Sequence, residues 1–204
     1  MSILIAYKKD NTIFMGTDTR LIINTRKTSR LCKCDYKIQK LNNEILVGIA
    51  GDRIVRQTCF AFSEIFTLDK NGNLTRKHIF TQIIPKLIEL LKKHELLSSK
   101  NNQPPKMDAE ILLAYKSELF EICSGFTICK YEDYQAIGNA SNYAHFILAN
   151  TNKNHDVNQR IIKALDIVSK HSQHVSRPYI LIDTKNQDYK LIEEKNYDTC
   201  DKKR

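Results

Sequence analysis

The chain opens Met1-Ser2-Ile3-Leu4-Ile5-Ala6-Tyr7, turns through Lys8-Lys9-Asp10-Asn11 and continues Thr12-Ile13-Phe14-Met15-Gly16-Thr17-Asp18. Two short apolar runs around a polar turn predict a β-hairpin. The first strand starts at the second residue, and that residue is a serine. Once Met1 is removed, Ser2 carries both a hydroxyl and an α-amine. Such an amine ordinarily titrates at about 7.7–8.0, so it can act as a base near neutrality. A nucleophile activated by the chain's own terminal amine is an established chemical solution.

The 204 residues are 42% apolar and 27% charged, which suits one globular domain with a core of useful size. We expect a single domain over 1–192 and a charged tail over 193–204. No apolar run approaches the roughly 20 residues that span a bilayer. The start lacks the basic and apolar regions of a signal peptide, so the expectation is a cytoplasmic protein without membrane contact. The net charge of +9 is spread along the chain and mixed with Asp and Glu. Without a basic stripe interleaved with aromatics, it does not point to nucleic acid. Six cysteines stand at 32, 34, 59, 123, 129 and 200, without the spacings of a zinc site. They read as reduced thiols, and neither a metal nor a cofactor is expected.

Beyond the hairpin, Thr19 to Cys34 reads as a polar loop running into a strand. Tyr36 to Leu41 alternates apolar with polar, the mark of a half-buried strand. Glu44 to Gly51 is a mostly apolar run suited to a strand buried on both faces. The period then changes. Val55, Cys59, Phe62 and Phe66 predict one helix face, and Phe80, Ile83, Ile84, Leu87, Ile88 and Leu91 predict another, within Arg76 to Leu97. Pro85 should kink or restart that second helix. Ser98 to Lys106 reads as a loop. Strands return at Ile111–Tyr115, Leu119–Cys123 and Tyr134–Gly138. Helical spacing resumes through Tyr143, Phe146 and Ile147, and again from the N-cap Asp156 through Val157, Ile161, Leu165 and Val168. Strands at Pro178–Asp183 and Tyr189–Ile192 finish the chain. Strands, two helices, strands, two helices, strands is an α+β order, with two mainly antiparallel sheets and helices on their outer faces.

That order, with a serine at position 2, resembles the proteasome β-subunit superfamily of N-terminal-nucleophile hydrolases, and more narrowly its small bacterial and phage members. The anchors are Met15-Gly16-Thr17-Asp18-Thr19-Arg20, Tyr36-Lys37-Ile38-Gln39-Lys40-Leu41, Gly48-Ile49-Ala50-Gly51, Ala136-Ile137-Gly138-Asn139-Ala140-Ser141-Asn142-Tyr143-Ala144 and Val175-Ser176-Arg177-Pro178-Tyr179. The resemblance implies a four-layer αββα sandwich. It places Ser2 at the nucleophile position, normally threonine, and Lys37 at the catalytic lysine with Asp18 as its acidic support. It places Gly51 where a backbone N–H helps form an oxyanion hole, and Asn139 and Ser176 at supporting positions. It implies a peptidase acting on peptides or unfolded protein, a homo-oligomeric ring and a possible ATPase or other regulator.

Read from spacing alone, Lys37 is a solvated strand residue, Asp18 a turn residue and Gly51 a tight-turn glycine. The chain also departs from the family pattern. Serine replaces threonine, Asn139 stands where a serine is usual, and Gln173 stands where active members carry an aspartate. His171 and His174 flank Gln173 and read as surface histidines. A proteasome-like subunit that assembles without cleaving is therefore the second reading.

Overall fold

The computed structural model describes residues 3–23, 26–28, 36–42, 44–99, 104–152 and 155–193, with backbone alone for 21–23 and 26–28. The strands are β1 (Ile3–Lys9), β2 (Thr12–Asp18), β3 (Leu21–Ile23), β4 (Arg26–Thr28), β5 (Ile38–Lys40), β6 (Leu46–Gly51) and β7 (Leu97–Ser98). They continue as β8 (Lys106–Met107), β9 (Ala109–Tyr115), β10 (Glu118–Ile122), β11 (Ile128–Tyr131), β12 (Tyr134–Gly138), β13 (Tyr179–Asp183) and β14 (Lys190–Ile192). The helices are α1 (Arg53–Ala61), α2 (Arg76–His78), α3 (Ile84–Lys93), α4 (Ser141–Asn150) and α5 (Val157–His171).

Sheet one runs β12-β1-β2-β13-β14 and sheet two runs β11-β10-β9-β6-β5, each with antiparallel neighbours. The alternation of side chains along each strand builds three apolar layers. In β1, Ile3, Ile5 and Tyr7 pack with Ala144, Ile161 and Leu165 of α4 and α5, while Leu4 and Ala6 face the second sheet. In β6, Val47 and Ile49 pack with Val55 and Leu87 of α1 and α3, while Leu46 and Ala50 face the first sheet. The order of layers is thus helix, sheet, sheet, helix, as expected. The sheets approach closely at Gly48, where a Cβ would stand 2.4 Å from a Leu4 methyl.

The hairpin turns more tightly than the sequence suggests. Lys8 and Lys9 belong to β1 and pair with Ile13 and Thr12. Asp10 and Asn11, at φ 48° and 59°, make the whole connection. Both central residues at positive φ give the twist that continues the strands, and Asp and Asn accept that conformation readily.

Three helical expectations shift. Helix α1 ends at Ala61, and Phe62 leaves the helical path at φ −114°, so Phe62 is 37% exposed while Val55, Cys59 and Phe66 stay inside. The second helix contains a π turn over Ile79–Ile83, in which Ile84 N–H bonds the Ile79 carbonyl. Pro85 follows directly. Its ring cannot take a normal turn against the carbonyl four residues back, and the wider turn relieves that conflict. The extra residue rotates the face, so Ile79 is buried and Phe80 is 65% exposed. In α4 the buried positions are Ala144, Ile147 and Leu148, and Tyr143 and Phe146 face outward. Segment 19–34, read as a loop running into a strand, holds the β3–β4 pair, and the two ends of the loop expected at 98–106 pair as β7 with β8, taking in Leu97 and Met107. Strand β11 has no counterpart in the sequence reading.

Cys59 is buried within α1, and burial pushes its thiol up to about 12. Cys123 and Cys129 are free thiols, and Cys32, Cys34 and Cys200 lie outside the described residues. So does the tail expected over 193–204, apart from Glu193. Among the described residues no helix is long and apolar enough to cross a membrane.

Arg160 of α5 is 1% exposed. Its guanidinium lies over the Tyr7 ring, donates to the Tyr7 hydroxyl and donates to the Leu148 carbonyl at 2.8 Å. It therefore stitches α5 to β1 and to the end of α4. Arg160→Leu would leave those acceptors inside without a donor and should lower stability by roughly 2–4 kcal/mol in urea unfolding.

Candidate functional site

Strand β2 ends at Asp18, whose side chain is wholly buried. Three donors converge on its carboxylate. Lys37 Nζ donates to Oδ1 at 2.7 Å and Ile3 N–H to the same oxygen at 3.3 Å, while Arg20 N–H donates to Oδ2 at 3.0 Å. Lys37 immediately precedes β5 and is itself 2% exposed. Its carbonyl accepts from Ile49 N–H at 2.9 Å, which fixes it against β6. A lysine alternating with apolar residues would ordinarily face water. This one is buried because a carboxylate awaits it.

The start of β1 is held from the same side. Thr17 Oγ1 donates to the Ile3 carbonyl at 2.6 Å. Both backbone polar groups of Ile3 are thus engaged by the last two side chains of β2. Ser2 itself lies outside the described residues, but the amide that follows it is bonded to Asp18.

Lys37, Gly51 and Asn139 line one cleft of about 680 Å³. Gly51 closes β6 at φ +138°, a conformation that side chains rarely adopt, and a Cβ there would stand 2.4 Å from the Asp108 carbonyl. Asp52 N–H bonds that carbonyl at 2.7 Å, and Asp52 Oδ1 caps α1 through Ile54 N–H. The helix therefore starts at the rim, and its Arg53 and Arg56 line the cleft with Arg20. Asp52, Asp108 and Glu110 line it as well, so both charge signs meet there.

The segment before β13 is tied to the end of β2. Arg20 Nη1 donates to the Gln173 carbonyl at 2.6 Å, and Thr19 Oγ1 to the Pro178 carbonyl at 2.8 Å. Ser176 lies between these ties, with its Oγ enclosed and, among the described residues, without a hydrogen-bond partner. It is not among the residues lining the cleft. His171 is exposed and stacks on Tyr143 at 5.9 Å between ring centres. Among the described residues no three His, Cys, Asp or Glu side chains are grouped to hold a metal ion.

Arg53, Arg56 and Glu110 were not singled out from the sequence. Glu110 had a visible signal, as the one charged residue in the apolar run Ala109-Glu110-Ile111-Leu112-Leu113-Ala114-Tyr115. The two arginines had none, since an arginine on a helix is ordinarily solvated, whereas Arg56 is buried and Arg53 half-buried.

Removing the carboxylate from the buried ammonium tests the pair. Asp18→Asn and Lys37→Met should each cost about 3–5 kcal/mol in urea unfolding. The double variant should be less destabilised than the sum by at least about 2 kcal/mol, because the two losses are one interaction.

Neither a family model nor a curated protein matches the sequence. Solved structures do. BPH of Thiobacillus denitrificans aligns over 89% of this chain and 96% of its own, with 17% identity and a TM-score of 0.73. Anbu, an ancestral beta-subunit from Yersinia bercovieri, aligns over 95% and 88%, with 14% identity and a TM-score of 0.68. Eukaryotic HslV from Trypanosoma brucei aligns over 94% and 99%, with 16% identity and a TM-score of 0.58. With its two antiparallel sheets between helical layers, the chain has the proteasome-like N-terminal-nucleophile hydrolase fold.

Proposed function

We propose that this chain is a proteasome-like peptidase or amidohydrolase that cleaves peptide amide bonds with Ser2 as nucleophile after removal of Met1. The observation that carries the reading is the buried Asp18–Lys37 pair, whose carboxylate also accepts from Ile3 N–H. That arrangement supports the reading, because the carboxylate that holds the Lys37 ammonium also accepts from the amide of the residue after Ser2.

In the proposed reaction the α-amine of Ser2 takes the hydroxyl proton as Oγ attacks the substrate carbonyl carbon. The Lys37 charge favours the developing alkoxide, and Asp18 holds the lysine in place. The Gly51 N–H meets negative charge on the carbonyl oxygen, a contribution of order 10²–10³ in rate for one such donor. The amine returns the proton to the leaving nitrogen as the C–N bond breaks. Water then hydrolyses the Ser2 ester and regenerates the hydroxyl. By the resemblance, Asn139 stands near the terminal amine and Ser176 is a further supporting residue. Peptides or unfolded protein are the substrate class. The family resemblance implies a homo-oligomeric ring with an ATPase or other regulator, and the lack of a signal-peptide pattern favours the cytoplasm.

The second reading is a subunit that assembles without cleaving. Gln173 favours it, because an amide cannot carry the charge of an aspartate.

Intact-mass measurement should find the mature chain beginning at Ser2. Peptide-amide hydrolysis should be present in that form and fall at least about 10³-fold in Ser2→Ala. Epoxomicin, the ligand bound by one structural neighbour, should add its mass at Ser2. Activity from protein that retains Met1 would refute the mechanism, and absence of both labelling and hydrolysis would favour the scaffold.

A further inference from the structure

Glu110 is a carboxylate in an otherwise apolar strand. Leu112 and Ala114, on the same face of β9, lie in the layer between the sheets. By alternation Glu110 projects from that face too, at the end where the layer opens into the cleft. Its partner across the ladder is Ala50, the neighbour of Gly51. Its Oε2 leaves sheet two altogether and accepts from Gly138 N–H of sheet one at 2.9 Å.

Gly138 is the last residue of β12 and pairs in register with Ile3. The polar groups of Ile3 are engaged by Asp18 and Thr17 of β2, and the Gly138 N–H is committed to Glu110. The end of this ladder is therefore held by side chains on both sides. Gly138 stands at φ +96°, a conformation open to glycine and poorly fixed by its own sterics. A hydrogen bond to an ionised acceptor is about twice as strong as one between neutral groups. The next residue is Asn139, which lines the cleft.

We propose that Glu110 is a positioning residue of this cleft: its carboxylate bridges the sheets to the Gly138 N–H and fixes the turn that sets Asn139 beside the start of β1. The kinetic consequence rests on the hydrolase reading, while the structural one does not. A glutamine keeps an acceptor oxygen at the same reach, and an alanine has none.

The test compares full-length wild type, Glu110→Gln and Glu110→Ala by amide hydrogen exchange at Gly138 and by Ser2-dependent hydrolysis. In Glu110→Ala, exchange at Gly138 should quicken about tenfold or more relative to amides elsewhere in β12. Hydrolysis should lose about tenfold in kcat with KM within about twofold, the pattern of a misplaced group rather than lost binding. Glu110→Gln should restore both to within about threefold of wild type. Unchanged exchange in Glu110→Ala overturns the proposal, as does exchange in Glu110→Gln as fast as in the alanine variant. Should Glu110→Ala fail to fold, Glu110→Gln decides alone: slow exchange supports the bridge and fast exchange overturns it. A wild-type protein that neither hydrolyses nor takes epoxomicin defeats the hydrolase reading, and the exchange result still decides the bridge.

Discussion

A lysine ammonium and a carboxylate meet 2.7 Å apart with almost no exposure to water on either side. Desolvating such a pair costs more than its attraction returns unless the remaining valences are also satisfied. On the carboxylate they are, because Ile3 N–H and Arg20 N–H also donate to Asp18. The arrangement fixes more than two side chains. Asp18 ends β2 of sheet one, and Lys37 leads into β5 of sheet two. Displacing either sheet along the other would break the pair and strand a buried charge, so the pair holds the sheets in register at the cleft end.

The space between the sheets follows the same logic. In its middle the contacts are apolar and close, made by Leu4, Ala6, Leu46 and Ala114 with Gly48 allowing the approach. Toward its edges polar bridges take over. Glu121 of β10 accepts from Gln135 of β12, and Glu110 of β9 accepts from Gly138. Together with Asp18 and Lys37 these are directional links between two layers that otherwise adhere without direction. The cleft lies where apolar filling stops and such links begin. A site built there is framed by regular strands, which hold side chains more accurately than loops do.

Much of this architecture was legible in the chain because it is local. The opening hairpin, the doubly buried run before Gly51, the capped helix after Asp156 and the final strands each carry their own period. The order of those elements suggested the layers. Asp18, Lys37 and Gly51 stood out only through the family resemblance, since their own spacing reads as a turn residue, a solvated strand lysine and a tight-turn glycine. Where a buried face differs from the one the period predicts, an influence other than the period had acted. Pro85 widened the preceding turn and moved Phe80 outward. The close seat of α4 on β1 and β12 took Ala144 inward in preference to Tyr143.

The sequence by itself determined the longer elements, because hydrophobic period, caps and turn residues are properties of neighbours along the chain; β11 and the short paired strands were left to the tertiary structure. It determined that a serine stands at position 2, with an acidic strand end and a lysine downstream. Only the tertiary structure decided that Lys37 is buried rather than solvated, that Asp18 reaches back to the amide after Ser2, and that Glu110 spans to Gly138. Those facts rest on groups distant in sequence arriving within hydrogen-bond reach. No local pattern encodes such a meeting, since each partner satisfies its own local rules equally well facing water.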